Sequence, residues 1–302
     1  MKKLIGLLLL ILIGSYSVHA QQDPLYAQYL TTPMMINPAY AGYSHDLNGS
    51  VSYRKQWAGF DGSPVTMNAS GHMALFDNRM GVGVMLVQDK IGSDQTTEAQ
   101  LTYGYHLPLK DGMNVSFGLQ GGVVNYKTDY SDLTINPDDP NFTPISEWNP
   151  TIGAGVMFSG ETFLLSLSVP KMLKASSDAD SLATGLYNRS FYGLGAYVFQ
   201  INYRIKLKPY VLLRAVPDAP VSMDYGISMT GDDSYTLGLF TRDFNTLGFL
   251  AQINLGEMFR MGYVFELPTG QSVGTKYTTH EFMIGIRVRA LKFHDLTTIR
   301  NF

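Results

Sequence analysis

From Thr246 to Leu267 the chain alternates between apolar and polar positions. Leu247, Phe249, Ala251, Ile253 and Leu255 share one parity, opposite Gly248, Gln252 and Asn254. Gly256 and Glu257 interrupt the run. Phe259, Met261, Tyr263 and Phe265 then alternate with Arg260, Gly262 and Glu266. A strand turns successive side chains to opposite faces, so this stretch predicts a hairpin with one apolar face and one largely polar face.

The same unit recurs along most of the chain. Val51 and Tyr53 oppose Ser52 and Arg54; Met67 and Ala69 oppose Asn68 and Ser70; Leu101, Tyr103 and Tyr105 oppose Gln100, Thr102 and His106. Phe282, Ile284 and Ile286 oppose Met283, Gly285 and Arg287 in the last strand. Phe191 to Gln200 is apolar on both parities, and Tyr210 to Ala215 follows a join near Asn202 to Pro209. The pattern predicts about fourteen strands, most near the 9–11 residues that cross a bilayer at a tilt.

Connection lengths decide between a soluble sandwich and a barrel in lipid. Short turns near Asp77, Lys110, Ser159, Asn202, Asp232 and Gly256 fall at one end. The other end carries connections near Phe60 and Gln88, from Thr128 to Trp148, from Pro170 to Asn188, from Val216 to Pro220, near Asp243 and from Pro268 to Tyr277. Every long one is at this second end, as in outer-membrane barrels with short periplasmic turns and longer external loops. A bilayer cannot satisfy an open sheet edge, so the sheet must close. The expected fold is all-β: a closed antiparallel transmembrane β-barrel with an irregular, plug-like N-terminal segment. Tyr53, Trp57, Tyr103, Tyr105, Tyr225, Tyr235 and Tyr263 are candidates for interfacial aromatics. Arg54, Glu98, Arg214, Asp224, Arg242, Arg260, Glu266, Arg287 and Arg289 fall on the lumen parity. Both signs occur, which predicts a salt-bridged interior.

The termini differ in texture. Lys2 and Lys3, the apolar run Leu4 to Ile13, and Val18-His19-Ala20 read as a secretory signal cleaved after Ala20. Residues 21–43 hold Pro24, Pro33 and Pro38, which resist strand formation. The tyrosines and Met34-Met35-Ile36 of this segment favour burial. It is expected either to plug the barrel from below or to serve as a periplasmic docking arm. Asp23, Tyr29, Asn37 and Tyr40 are its candidate lumen residues, with Asp23 and Asn37 expected to bond lumen arginines such as Arg54. The barrel is expected over 44–289, and 290–302 as a periplasmic tail.

Composition narrows the chemistry. Charged residues make up only 16% of the chain and the net charge is -3, which gives no argument for nucleic acid. With no cysteine, disulfides and thiolate chemistry are excluded. His72, His106, Ser70 and Glu98 share the inward parity, but nothing in their spacing fixes a catalytic triad. Asp138-Asp139 and Asp232-Asp233 lack the carboxylate ladder of a calcium loop. Gly81-Val82-Gly83 is not followed by a phosphate-binding Lys-Ser/Thr. No enzyme activity, metal or cofactor is expected. The long connections are the candidate partner surface, through Tyr130, Phe142 and Trp148 in the first and Lys171 and Tyr187 in the second, because aromatic anchors dominate interfaces.

Three blocks carry a likeness. Gln22-Asp23-Pro24-Leu25-Tyr26-Ala27-Gln28-Tyr29, Asn37-Pro38-Ala39-Tyr40-Ala41-Gly42 and Tyr53-Arg54-Lys55-Gln56-Trp57, with His280-Glu281 opening the last strand, resemble the PorP/SprF family. The resemblance implies an outer-membrane component of Bacteroidota type IX secretion and gliding motility. It implies support for secretion and surface attachment of an adhesin-like protein with a type B C-terminal sorting domain. It also implies other secretion-system subunits and a peptidoglycan-linked periplasmic lipoprotein as partners. The tail Ala290 to Phe302 departs from family members that end soon after the last strand, which leaves open which segment closes the barrel. The alternative function is a passive channel or hydrophobic-solute transporter, favoured by the apolar inward positions Met157, Leu164, Leu250 and Val264.

Overall fold

The structure is a computed structural model that describes residues 27, 29–44, 46–76, 78–130, 144–173, 175–176, 185–187, 189–217, 219–270 and 276–288. Within them the chain runs Leu47–Lys55 (β1), Val65–Leu75 (β2), Met80–Ile91 (β3), Asp94–Pro108 (β4), Asn114–Thr128 (β5), Ile145–Ser159 (β6), Phe163–Lys171 (β7), Ala175–Ser176 (β8), Gly185–Tyr187 (β9), Ser190–Tyr197 (β10), Phe199–Gln200 (β11), Ile205–Ala215 (β12), Ser222–Gly231 (β13), Tyr235–Arg242 (β14), Thr246–Leu255 (β15), Phe259–Pro268 (β16) and Thr279–Val288 (β17). Apart from β8, β9 and β11, these are fourteen antiparallel strands in an up-and-down meander. It closes where β10 meets β12 and where β1 meets β17, from Leu47↔Val288 to Lys55↔His280. The short β8 and β9 pair only with each other, and β11 lies beside β12.

The faces are inverted relative to a soluble protein. Leu101, Leu119 and Leu167 are 71%, 63% and 65% exposed, whereas Gln100, Ser116 and Gln120 on the opposite parity are buried. A ring of exposed leucines around a closed sheet suits lipid, and closure leaves no ladder edge unsatisfied. Of the expected interfacial aromatics, Tyr53, Tyr103, Tyr105, Tyr225 and Tyr235 are exposed. Tyr263 packs on Phe282 and shares a 2.7 Å hydrogen bond with His280.

Three boundaries differ from the sequence reading. Phe191 to Gln200 is not one strand: it breaks at Val198, which is buried and donates its amide to Thr162. The join before β12 is shorter than expected, because Asn202 Oδ1 accepts from the Arg204 and Ile205 amides and starts β12 at Ile205. The turn expected near Gln88 lies at Gly92, which has φ +58. The remaining connections sort as the parity argument requires, with every long one at the same end. These ends are called the short-turn end and the long-loop end below.

Candidate functional site

The interior is occupied by residues 29–44, a strap without strand structure. Pro33 and Pro38 start two 3-10 turns, Pro33–Met35 and Pro38–Tyr40, at positions where the missing proline amide costs nothing. Asn37 caps the second turn by accepting the Ala39 amide at 2.8 Å. Its Nδ2 donates to the carbonyls of Val156 (3.2 Å) and Leu167 (3.4 Å), and the Ser168 hydroxyl donates to the Ile36 carbonyl. Asn37 thus bonds the barrel wall and not a lumen arginine, because the cap turns its amide toward β6 and β7.

Two histidines hold the other end of the turn. His106 Nε2 donates to the Ala41 carbonyl at 2.8 Å, which leaves Nδ1 to accept from the Ser116 hydroxyl at 2.8 Å. His72 Nδ1 accepts the Gly42 amide at 3.1 Å.

The wall beneath this stretch is built from glycine. Gly81, Gly104, Gly118 and Gly155 stand directly opposite one another on β3, β4, β5 and β6. A Cβ on Gly104 would lie 2.6 Å from the Ala41 oxygen, one on Gly118 2.0 Å from the Ala39 nitrogen, and one on Gly155 2.1 Å from Asn37 Oδ1. The track is a groove one side chain deep, into which Asn37 to Gly42 is pressed. Across the lumen, Tyr29, Met34, Ile36, Tyr40 and Tyr43 pack in one buried cluster with Met157, Leu164, Tyr210, Phe240, Leu250 and Val264. Burial raises the hydroxyl pKa of Tyr29 and Tyr40 and pushes that of Tyr43 up to about 12.

Near the long-loop end the strap hangs from an ion network. Arg54 donates to Glu266 at 2.6 Å and to Glu281 at 3.1 Å; Arg242 makes a bidentate pair with Asp224 (2.9 and 3.0 Å) and reaches Glu266 at 3.5 Å. The Ala27 amide donates to Glu281 and the Tyr29 hydroxyl to Asp224, both at 3.1 Å. The segment therefore descends from the long-loop half, where those carboxylates lie, to the start of β1. This revises the expectation of a plug inserted from below. A second buried group joins Lys171 to Glu98, with Gln100 donating to Glu98 at 3.1 Å and Gln120 bonding Gln100 and the Pro170 carbonyl.

The candidate residues separate accordingly. Tyr29, Asn37, Tyr40, Arg54 and Glu98 lie inside, and Arg287 lines a chamber at the short-turn end. Asp23, Arg289 and Phe142 lie outside the described residues, as does Asp138-Asp139. Lys171, expected on an outer loop, ends β7 and is buried on Glu98: it shares the outward parity of Leu165 and Leu167, but a register shift against β10, between Ser190↔Lys171 and Tyr192↔Ser168, breaks the alternation there. Trp148 lies in β6 and not in a loop, on its outward face and 68% exposed. Tyr130 lies two residues past the end of β5, and Tyr187 falls on β9. His72 and His106 meet at the strap, on Gly42 and Ala41, but Ser70 and Glu98 are not gathered with them. Ser70 pairs with Ser50, Glu98 with Lys171, and His106 is engaged by Ser116 and the strap. Asp232 and Asp233 face Arg204 and Lys206 across a turn. Sequence reasoning missed Glu281 as a lumen acid, although its parity opposite Phe282 announced it. It also missed the glycine track, whose signal was at least one inward-parity glycine on each of four consecutive strands.

Residues 18–286 match the family described as "Type IX secretion system membrane protein PorP/SprF". No curated protein matches the chain. Among solved structures the fold is similar to that of a mutant of the monoaromatic hydrocarbon channel TodX, at 10% identity and TM-score 0.50, covering 85% of this chain and 94% of that one. The outer membrane protein Omp33 of Acinetobacter baumannii is also similar, at 10% identity and TM-score 0.45 over 81% of this chain and 98% of that one. At such identities the likeness to TodX speaks to the fold alone.

Proposed function

The chain belongs to the PorP/SprF family of type IX secretion system membrane proteins, and from that premise we propose that it holds a secreted, adhesin-like protein with a type B sorting domain at the cell surface. It is an outer-membrane β-barrel of that machinery, which has other subunits and cargo. In this reading it is not an enzyme, its partner meets the long-loop end, and a peptidoglycan-linked lipoprotein meets the periplasmic end.

The observation that carries the reading is the filled lumen. Met157, Leu164, Leu250 and Val264, the apolar inward positions that favoured a solute channel, pack instead against the strap. A barrel whose interior is taken up by its own chain acts through its mouths. Aromatic side chains at the long-loop mouth, Trp148 foremost, supply the kind of anchor that surface contacts use.

The test is pull-down of the detergent-extracted protein from its native cells, with mass spectrometry of what accompanies it. A large surface protein with a type B sorting domain, lost on deletion of 131–143 or 177–184, supports tethering. A barrel recovered alone that conducts solutes across a planar bilayer refutes it in favour of a channel.

A further inference from the structure

At the short-turn end, below the strap, lies a cavity of about 460 Å³, within the range of small-ligand pockets. Its mouth is set among the turn residues Asp233, Gly256, Glu257 and Met258, so it opens on the periplasmic side. Two guanidiniums face it, Arg260 and Arg287. Arg260 pairs across the ladder with Gly285, two residues from Arg287 on the same face, which makes the two arginines diagonal neighbours with no side chain between them.

Like charges at such spacing are unfavourable unless an anion joins them; Lys208 adds a third cation to the lining, and of the lining carboxylates Asp46, Asp233 and Glu257, Asp233 is paired with Lys206. The hydrogen bond of the Arg260 guanidinium is to the Thr31 carbonyl at 3.4 Å. Arg287 stands 3.9 Å from Asp46, and its buried Nε has no hydrogen-bond partner among the described residues. The arginines of the upper network contrast with this, since Arg54 and Arg242 each hold two carboxylates. The remaining wall is mixed. Ser50, Ser228 and Thr230 offer hydroxyls, while Leu30, Met258 and Phe259 offer apolar surface. Inorganic phosphate would use the charges and leave the apolar wall wet. A peptide end would use both.

We propose that this chamber binds a carboxylate carried on a short, partly apolar peptide presented from the periplasm, with Arg260 and Arg287 as the paired receptor for the carboxylate. The site lies at the end opposite the long loops and goes beyond the tethering role, so that loss of the surface partner on loop deletion leaves it intact.

The test uses the full-length protein in detergent micelles and a fluorescein-labelled Gly-Leu-Phe-Asp peptide, read by fluorescence anisotropy at low salt. Saturable binding is expected, weakened about ten-fold or more in R260Q and in R287Q, as for loss of a charge-assisted hydrogen bond. The same peptide with Asn and a C-terminal amide should fail on the unaltered protein, a comparison that needs no variant to fold. Heat-modifiability on a gel confirms that the variants remain barrels. Equal binding of the amidated peptide, equal binding by folded R260Q and R287Q, or no saturable binding at all overturns the proposal. Displacement by inorganic phosphate at concentrations where free aspartate-containing peptide does not compete also overturns it, and identifies a simple oxyanion site.

Discussion

Gly81 faces Ala41 so closely that a Cβ on the glycine would lie 1.9 Å from the Ala41 carbonyl oxygen and 2.8 Å from Gly42 Cα. Neither side has room to yield. The Ala41 carbonyl is held by His106 and the Gly42 amide by His72, while Gly81 sits in the ladders of β3 with β2 and β4. The strap and the glycine track are therefore one fitted unit. The Asn37 to Gly42 block is short-chained at Ala39, Ala41 and Gly42 because these positions approach backbone, not side chains.

G118V tests this fit directly. Its Cβ would lie 2.0 Å from the Ala39 nitrogen, yet the strand ladders and the lipid-facing side are untouched. The barrel should form, with the strap displaced and stability in detergent lowered by about 1–3 kcal/mol, as for other overpacked interiors. Chymotrypsin should cut at Tyr29, Tyr40 or Tyr43 in G118V and spare them in the parent. Equal cleavage of the two proteins would mean that the strap is not seated on the track.

The ion network predicts a contrast between two arginine–lysine sites. R54M strands Glu281 in the interior, with the strap amide of Ala27 still bound to it, and leaves Glu266 with Arg242 at 3.5 Å. Removal of one partner from a buried pair costs about 3–5 kcal/mol, because the remaining charge is left uncompensated. Lys206 pairs with Asp233 at the barrel rim, where Asp233 is half exposed. K206A should cost only about 0–1 kcal/mol. Urea unfolding in micelles reads both, and similar costs for the two would show that the interior network is hydrated.

Trp148 makes the long-loop end measurable. The β6–β7 ladder begins at Ala154↔Val169, whereas β6 itself starts at Ile145 and remains paired with β5 throughout. The β5–β6 ribbon thus runs on past the end of β7 and carries Trp148 outward. The chain has two tryptophans, so W57F leaves Trp148 as the sole reporter. In liposomes its emission should be that of a water-exposed indole, quenched by iodide and indifferent to brominated lipid chains. The reverse result would place it in the bilayer interface and remove it from the partner surface.

Strand parity made the barrel legible, because lipid and lumen impose opposite demands on alternate residues over the whole chain. Parity assigns Arg54, Asp224, Arg242 and Glu266 to the lumen face, and all four are buried. Parity says nothing of which charges meet. Glu281 entered the Arg54 site through the β1–β17 register, Arg54↔Glu281, which depends on how the first and last strands close. Nor does parity tell a loop lysine from a strand-end lysine. Lys171 was assigned to a loop since Pro170 before it suggested a break, but Pro170 is the residue whose carbonyl Gln120 needs. The glycine track was invisible for a related reason. Each glycine reads as a weak strand position alone, and only the cross-strand register lines up four of them.

The tyrosines of the strap predict an alkaline limit. Burial holds the Tyr43 hydroxyl up to about 12, against an ordinary value of 10.0, and raises those of Tyr29 and Tyr40 as well. The folded form therefore retains these protons where the unfolded chain has lost them. For Tyr43 the sign follows: its contribution is fully present below about pH 10 and is lost as pH rises toward about 12. By the upper end of that window the loss is of order 1–3 kcal/mol. Y43F carries no ionisable hydroxyl, so it should lose less stability than the parent between pH 9 and pH 12 when the two are unfolded side by side in detergent. In a spectrophotometric titration of tyrosinate absorbance, the strap tyrosines should form a late phase. Y43F should remove part of the late phase only. A parent in which all tyrosines titrate together near 10, with Y43F following the same stability curve, would show that water reaches the strap and that the lumen is not filled by it.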